Sequence, residues 1–242
     1  MPPLRTMPKN PELPAHASPG FTLIEMAVVL LILSLLAGSL GAGLSSHLAR
    51  RAERATDDAL DEARDTLLGY ALRKGHFPCP AKGPQDGTED RSGGSCARHV
   101  GLLPWATLGI HGVDGWSRRL RYAVTPAYTR NITSVDDGTI ELVTRNLDGA
   151  ELRLTTAGGL TPVVILSHGP NGLGAITADG SLQPPPLPGS DEARNTDISA
   201  RLFVSRGLSE NPGAPGGAFD DRVSWISPNL IAHRLIGAGR LP

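Results

Sequence analysis

The sequence predicts an α+β fold: a long amino-terminal α-helix, one half membrane-spanning and one half amphipathic, packed on an antiparallel β-sheet head with long loops. Three observations predict it. Residues 21–44, FTLIEMAVVLLILSLLAGSLGAGL, are apolar apart from scattered small residues and one charge, Glu25. Residues 47–73 then place apolar or small side chains at Leu48, Ala52, Ala55, Ala59, Ala63, Leu67 and Tyr70, in steps of three and four that mark one helix face. Beyond Gly75 the pattern becomes short apolar runs separated by Gly-, Asn- and Asp-rich turns. The organisation that follows is an amino-terminal segment 1–20, a membrane-spanning helix 21–46, an amphipathic stalk 47–75 and a β-rich head 76–242.

Residues 1–20 hold prolines throughout and the charges Arg5, Lys9 and Glu12, so no helix is expected there. As a helix, residues 21–44 extend roughly 36 Å, enough to cross a ~30 Å hydrocarbon layer. The run is longer than the 7–15 residues of an ordinary secretory signal, and the small residue Gly20 precedes it instead of following it. A plain membrane anchor fits the length but leaves Glu25 unexplained, because an unneutralised charge in lipid costs several kcal/mol. A third reading is a segment cut at Gly20 that retains its apolar helix. In the stalk, ten charged residues from Arg50 to Asp65 cover the other face, and Gly75 after Lys74 is a natural C′ stop.

In the head, strands are expected at Leu120–Val124, Thr139–Thr144, Leu152–Thr155, Val163–Ser167 and Val223–Ile226. Turns fall at Asp136–Gly138, Asn146–Gly149, Gly158–Gly159, Gly169–Gly172 and Asp179–Gly180. This reads as an antiparallel meander forming one sheet against one helix. Ser181–Gly217, rich in Pro, Gly and Ser, reads as a surface loop. Cys79 and Cys96 enclose 16 residues with no apolar core of their own. A disulfide is expected if the head lies outside the cytoplasm, and a Cys2His2 zinc site with His76 and His99 is the alternative.

The chain of 242 residues has net charge −1, from 23 Lys+Arg against 24 Asp+Glu, which excludes a nucleic-acid binder built on bulk positive charge. Arg118, Arg119 and Arg121 form a small basic group, for which solvated edge-strand charges are the plain explanation and DNA contact the alternative. No GxSxG, HExxH, P-loop or paired CxxC occurs, so no catalytic residues are assigned. Adjacent Ser167 and His168 do not make a triad, which needs groups that converge in space.

The string GFTLIEMAVVLLILSLLA at Gly20–Ala37 resembles the class III signal of type IV pilins and type II secretion pseudopilins. The resemblance implies that residues 1–20 are a leader cut by a prepilin peptidase between Gly20 and Phe21, with Phe21 then N-methylated. It implies that Glu25 meets the Phe21 amine of a neighbouring subunit, so that two charges costly in lipid neutralise each other and fix register. It implies a pilin-like fold and a minor pilin or pseudopilin of a type IV pilus or type II secretion pseudopilus. Such a subunit sits in the bacterial inner membrane with its head in the periplasm, its partners being the peptidase, other subunits and inner-membrane lipid. Nucleic acid is not an expected partner.

Three further segments resemble the major pseudopilins: GVDGWSRRLRYAV at Gly112–Val124, ILSHGPNGLGA at Ile165–Ala175 and GGAFDDRVSW at Gly216–Trp225. In that family such loops hold a structural calcium, and Asp220 and Asp221 match best. The chain departs from the pattern by inserting about 40 residues between the two halves. The competing classes are a tethered periplasmic enzyme or binding module, which expects a convergent polar pocket in the head, and a DNA-uptake minor pilin. The structural-subunit reading expects a featureless helix-on-sheet head.

Overall fold

The computed structural model describes residues 20–135, 138–146, 148–155 and 160–241, and for 36–45 the backbone alone. The expected leader up to residue 19, and the turn residues Asp136, Asp137, Gly158 and Gly159, lie outside the described residues. The chain divides into two compact units, residues 1–46 and 47–242.

Helix α1 runs over Leu23–Lys74. Among the described residues, no helix is long and apolar enough to cross a membrane. The expected span 21–44 includes 36–45, whose side chains lie outside the described residues. In the first unit the described side chains of residues 20–35 are all exposed.

The second unit begins with the stalk, whose buried face is Thr56, Leu60, Ala63, Leu67, Leu68, Tyr70 and Ala71. The expected stripe is therefore rotated slightly: Leu48 and Ala55 are exposed, and Thr56 and Leu60 take the core-facing places. The helix ends as predicted, with Gly75 at φ 77° bonding back to the Ala71 carbonyl.

After the stalk come a small hairpin, β1 (Arg91–Ser92) and β2 (Ser95–Cys96), then β3 (Val100–Leu102), α2 (Trp105–Leu108), β4 (Arg121–Val124), a 3-10 turn (Pro126–Thr129), β5 (Glu141–Arg145), β6 (Glu151–Arg153), β7 (Val163–Ser167), α3 (Asp191–Thr196), β8 (Leu202–Val204), β9 (Arg222–Ile226) and α4 (Pro228–Gly237). The expected strands correspond to β4, β5, β6, β7 and β9.

The main sheet has the order β3-β4-β7-β9, all antiparallel. One face, with Tyr122, Val124, Val163, Ile165 and Ile226, joins stalk residues Leu60, Ala63 and Leu67 in the principal core. The opposite face, with Ala123, Val164 and Leu166, packs on Ile140, Leu142 and Phe203. Leu142 and Phe203 belong to a second sheet, β6-β5-β8, in which β5 and β8 run parallel, and Ile140 directly precedes β5. The head is thus helix on sheet on sheet, which corrects the single antiparallel sheet. Burial on both faces explains why β4 and β7 are buried at every position.

Ser181–Gly217 is not a surface loop throughout. It contains α3 and β8, and buries Asp191, Glu192, Asn195, Phe203 and Val204. Ser190 caps α3 by accepting from the Ala193 amide at 3.1 Å. Ser227 caps α4 in the same way, with Pro228 opening the helix.

Candidate functional site

At the amino terminus, Gly20–Thr22 precede α1 without regular structure, and Phe21 is 77% exposed. The Gly20–Phe21 peptide therefore lies on open, non-helical backbone just ahead of the first helical turn. Thr22 and Glu25 form a capping box. Thr22 Oγ1 accepts from the Glu25 amide at 3.3 Å, and the Thr22 amide donates to Glu25 Oε2 at 3.5 Å. The T-x-x-E signature was readable in the sequence and gives Glu25 a local task, capping the first turn of α1.

Cys79 and Cys96 are joined in a disulfide. The bridge consumes both thiolates that a zinc site would use, so the Cys2His2 alternative falls. Glu89 organises the enclosed loop: its carboxylate accepts from the Cys79 amide at 3.0 Å, from Arg91 Nε at 2.9 Å and from the Tyr70 hydroxyl at 3.1 Å. Burial pushes Glu89 up, but these donors outweigh it and hold the carboxyl below its ordinary range. Burial and the Glu89 charge push Tyr70 up to about 12.

The three arginines are neither a free basic patch nor solvated edge charges: Arg121 lies on β4, an interior strand, and Arg118 and Arg119, just ahead of it, are engaged with neighbouring loops. Arg118 donates to the Gly169 and Pro170 carbonyls, Arg119 lies 3.7 Å over the Trp105 ring, and buried Arg121 donates to the Thr196 carbonyl at 2.7 Å. Each ties a loop to the sheet. The DNA-contact alternative loses its sequence support.

The expected acids Asp220 and Asp221 are brought together ahead of β9, and a third carboxylate joins them. One oxygen from each of Glu192, Asp220 and Asp221 lies within 4.8 Å of the others. Asn171 spans the group, its amide donating to Asp220 Oδ2 at 2.8 Å and its side chain to Glu192 Oε1 at 2.9 Å. Asn195 donates to Asp221 Oδ2 at 2.7 Å and also exchanges hydrogen bonds with the β8 backbone at Val204. The second oxygens, Asp220 Oδ1 and Asp221 Oδ1, are buried and accept no hydrogen bond among the described residues. His168, 2% exposed, has neither ring nitrogen in a hydrogen bond, and its Nδ1 lies 3.4 Å from Asp221 Oδ1.

Burial is the main cause that pushes Asp220 up to about 6; the Glu192 and Asp221 charges add to it, while the Asn171 amide and Arg118 oppose it. Burial likewise raises Glu192, with the Asp221 charge contributing. Two buried anionic oxygens without donors are costly. Either a proton or a cation offsets that cost, and an all-carboxylate donor set suits a hard cation that takes oxygen ligands. The residues present therefore fit the calcium that the resemblance implies, with Glu192 added to Asp220 and Asp221.

Sequence reasoning missed Glu192 because it lay in the stretch read as a loop. The signal was Ser190-Asp191-Glu192, an N-cap followed by acids in the first turn. This convergent, buried polar group departs from the featureless head expected of a structural subunit. Ser167 and His168 do not act together: Ser167 Oγ donates to Asp114 Oδ2 at 2.6 Å, whereas His168 faces Asp221.

Residues 16–41 match a family model, the prokaryotic N-terminal methylation motif. No curated protein and no solved structure matches the chain. The matched segment contains the string Gly20–Ala37 on which the resemblance to type IV pilins and pseudopilins rests.

Proposed function

We propose that the chain is a structural subunit, a minor pilin or pseudopilin, of a type IV pilus or type II secretion pseudopilus. It is made with a leader, cut by prepilin peptidase at Gly20–Phe21 and methylated at Phe21. The observation that carries the reading is the methylation motif at residues 16–41, with Gly20–Phe21 exposed on non-helical backbone directly ahead of the capping box. In the inner membrane the subunit holds its head in the periplasm, where the Cys79–Cys96 bridge is at home. Its partners are the peptidase, inner-membrane lipid and other subunits. In the filament Glu25 neutralises the Phe21 amine of a neighbour. The capping box already holds Glu25 against the Thr22 amide, one residue from the amine that cleavage creates, so the carboxylate is placed for that exchange.

In the head, a structural calcium held by Glu192, Asp220 and Asp221 staples the inserted segment, through α3, to the approach of β9. The ion supplies charge neutralisation and no chemistry.

The test is mass spectrometry of the mature amino terminus, in cells with and without the peptidase. A chain that begins at N-methylated Phe21 only when the peptidase is present supports the reading. An intact precursor as the working form overturns it. Within processed chains, Glu25→Ala is expected to abolish incorporation into filaments while leaving the chain in the membrane.

A further inference from the structure

Arg121 is a buried cation whose donors are mostly unspent. It stands on β4 between Leu102 of β3 and Leu166 of β7 and is 8% exposed. Its Nη2 donates to the Thr196 carbonyl at 2.7 Å, the guanidinium's one hydrogen bond among the described residues, and buried Nε has no partner. No carboxylate among those residues lies within 4 Å of it. Burial pulls its pKa down, and the charges of Asp221 and Asp197, beyond ion-pair contact, oppose this. Both acids are engaged elsewhere. Asp197 Oδ1 accepts from the Ser199 amide at 2.8 Å and hydroxyl at 2.7 Å, and Asp221 Oδ2 accepts from Asn195 at 2.7 Å. A buried guanidinium with unspent donors and no counterion is costly.

Arg121 also lines a cleft of about 300 Å³, at the small end of ligand-pocket sizes. Leu102 pairs with Arg121 and Val100 with Ala123, so these side chains share the sheet face turned away from the stalk. Ala81, Pro84 and Ile176 complete the apolar walls, and exposed Ile198 and Arg98 stand at the mouth. A second hollow of about 270 Å³ adjoins it, sharing Arg98, Val100 and Ile198. Arg98 already has an acid, Asp90 at 3.3 Å, so the cation left without one in this cleft is Arg121.

We propose that this cleft binds a carboxylate carried on an apolar body, with Arg121 meeting the carboxylate and Val100, Leu102, Ile176 and Ile198 covering the body. Water would satisfy the donors but leave the charge uncompensated. A carboxylate does both, and its two oxygens match the planar guanidinium fork. A bare inorganic anion would leave the apolar walls unused. The same chemistry has two sources, a free small acid and the carboxyl terminus of a peptide that ends in an apolar residue. The site lies wholly in the head and is independent of events at Gly20–Phe21, so it gives the head a ligand of its own beyond the subunit role.

The experiment uses the full chain in detergent. The probe is para-fluorophenylpropanoate, with its primary amide as the uncharged control, and fluorine NMR reads binding against micelles without protein. The acid is expected to bind at least about 10-fold more tightly than the amide. Arg121→Gln is expected to weaken the acid at least about 10-fold and to leave the amide within about 2-fold. Ile198→Asp, at an exposed position, sets a like charge at the mouth and is expected to weaken the acid about 10-fold. Circular dichroism checks that each variant is folded, and Ile198→Asp decides if Arg121→Gln is not. An acid that binds no better than its amide overturns the proposal, as does full acid affinity in Ile198→Asp or in folded Arg121→Gln. An N-acetylated tripeptide ending in leucine then competes with the probe. Displacement by its free acid and not by its amide supports the site with a peptide as the source. Displacement by neither supports it with a free small acid as the source, and displacement by both overturns it.

Discussion

The replacement of Asp220 by Asn tests the acid cluster by a change of sign. Burial, with Glu192 and Asp221 nearby, raises the Asp220 carboxyl from 3.8 to about 6. A shift of roughly two units corresponds to about 3 kcal/mol for a fully buried group, and solvent screening of this partly exposed carboxyl reduces that to about 1–2 kcal/mol. The folded pKa lies above the unfolded one, so the favourable protonated state is fully present below about pH 4. That stability is lost as the pH rises through about 6. Asn keeps an oxygen for the Asn171 amide and removes the charge. In chelator at pH 7, Asp220→Asn is therefore expected to be more stable than the parent by about 1–2 kcal/mol, or roughly 3–6 °C in Tm for a unit of this size. The parent is expected to lose stability between pH 4 and 7 more steeply than the variant. With free calcium at a hundred times its Kd, the parent gains about 2.7 kcal/mol and the order reverses. Thermal unfolding of the processed chain in detergent, followed by near-ultraviolet circular dichroism with and without calcium, reads all of this. A variant that is less stable than the parent in chelator, beside a parent indifferent to calcium, would refute the reasoning. Asp220 would then be a plain hydrogen-bond acceptor.

Three other perturbations have defined outcomes. Cys79→Ser with Cys96→Ser opens a loop of 16 residues between the cysteines and is expected to cost about 3 kcal/mol under oxidising conditions, seen as a lower midpoint in urea; an equal loss when both chains are reduced would assign the cost to packing. Asp191→Ala removes a fully buried carboxylate that meets Arg145 through two bonds of 2.7 Å and Arg206 through another, leaving guanidinium groups unpaired; a loss of about 3–5 kcal/mol by chemical denaturation is expected. Gly115→Ala sets a Cβ 2.0 Å from the Ala52 carbonyl oxygen of the stalk, so the loop must withdraw; a loss of about 1–3 kcal/mol is expected, with faster hydrogen exchange at the Gly115 amide, which donates to Thr56 Oγ1 at 3.0 Å.

What the sequence revealed depended on how local the signal was. The stalk, its glycine stop and five strands follow from periodicity and turn residues within a few positions of each other, and β7 appears at its predicted bounds. The segment that matches the methylation motif was legible for the same reason, as one contiguous string. The second sheet was not, because the β5–β8 pairing joins Glu141–Val143 to Leu202–Val204 in parallel across some sixty residues. No local pattern announces such a partner. The stretch 181–217 misled through its Pro and Gly content, although Ser190-Asp191-Glu192 marks a helix start and Leu202-Phe203-Val204 an apolar run. Of the acid cluster, the adjacent pair Asp220–Asp221 could be read and Glu192 could not, since its nearness depends on α3 being folded back beside β9. Asn171 and Asn195, which hold the three acids in place, look like any polar loop residue until the topology is known.

The end of β7 shows why the head carries buried polar groups at all. Ser167 is the last residue of β7 and His168 follows it, and their side chains go to different partners. On the stalk side, Ser167 donates to Asp114, whose other oxygen accepts the Trp116 and Arg118 amides at 2.9 Å. That turn presents Gly115 to Thr56, and only glycine allows the approach to Ala52. On the far side, His168 faces Asp221 and the group that anchors α3. Next in line, Gly169 takes φ 54°, and a Cβ there would fall 2.2 Å from the Asp220 carbonyl oxygen. Three consecutive residues thus connect a clasp on the stalk to a clasp on the inserted segment. Apolar packing alone would let either layer slide over the main sheet at little cost, because dispersion contacts are not directional. Hydrogen bonds with buried, defined partners fix one registration of all three layers.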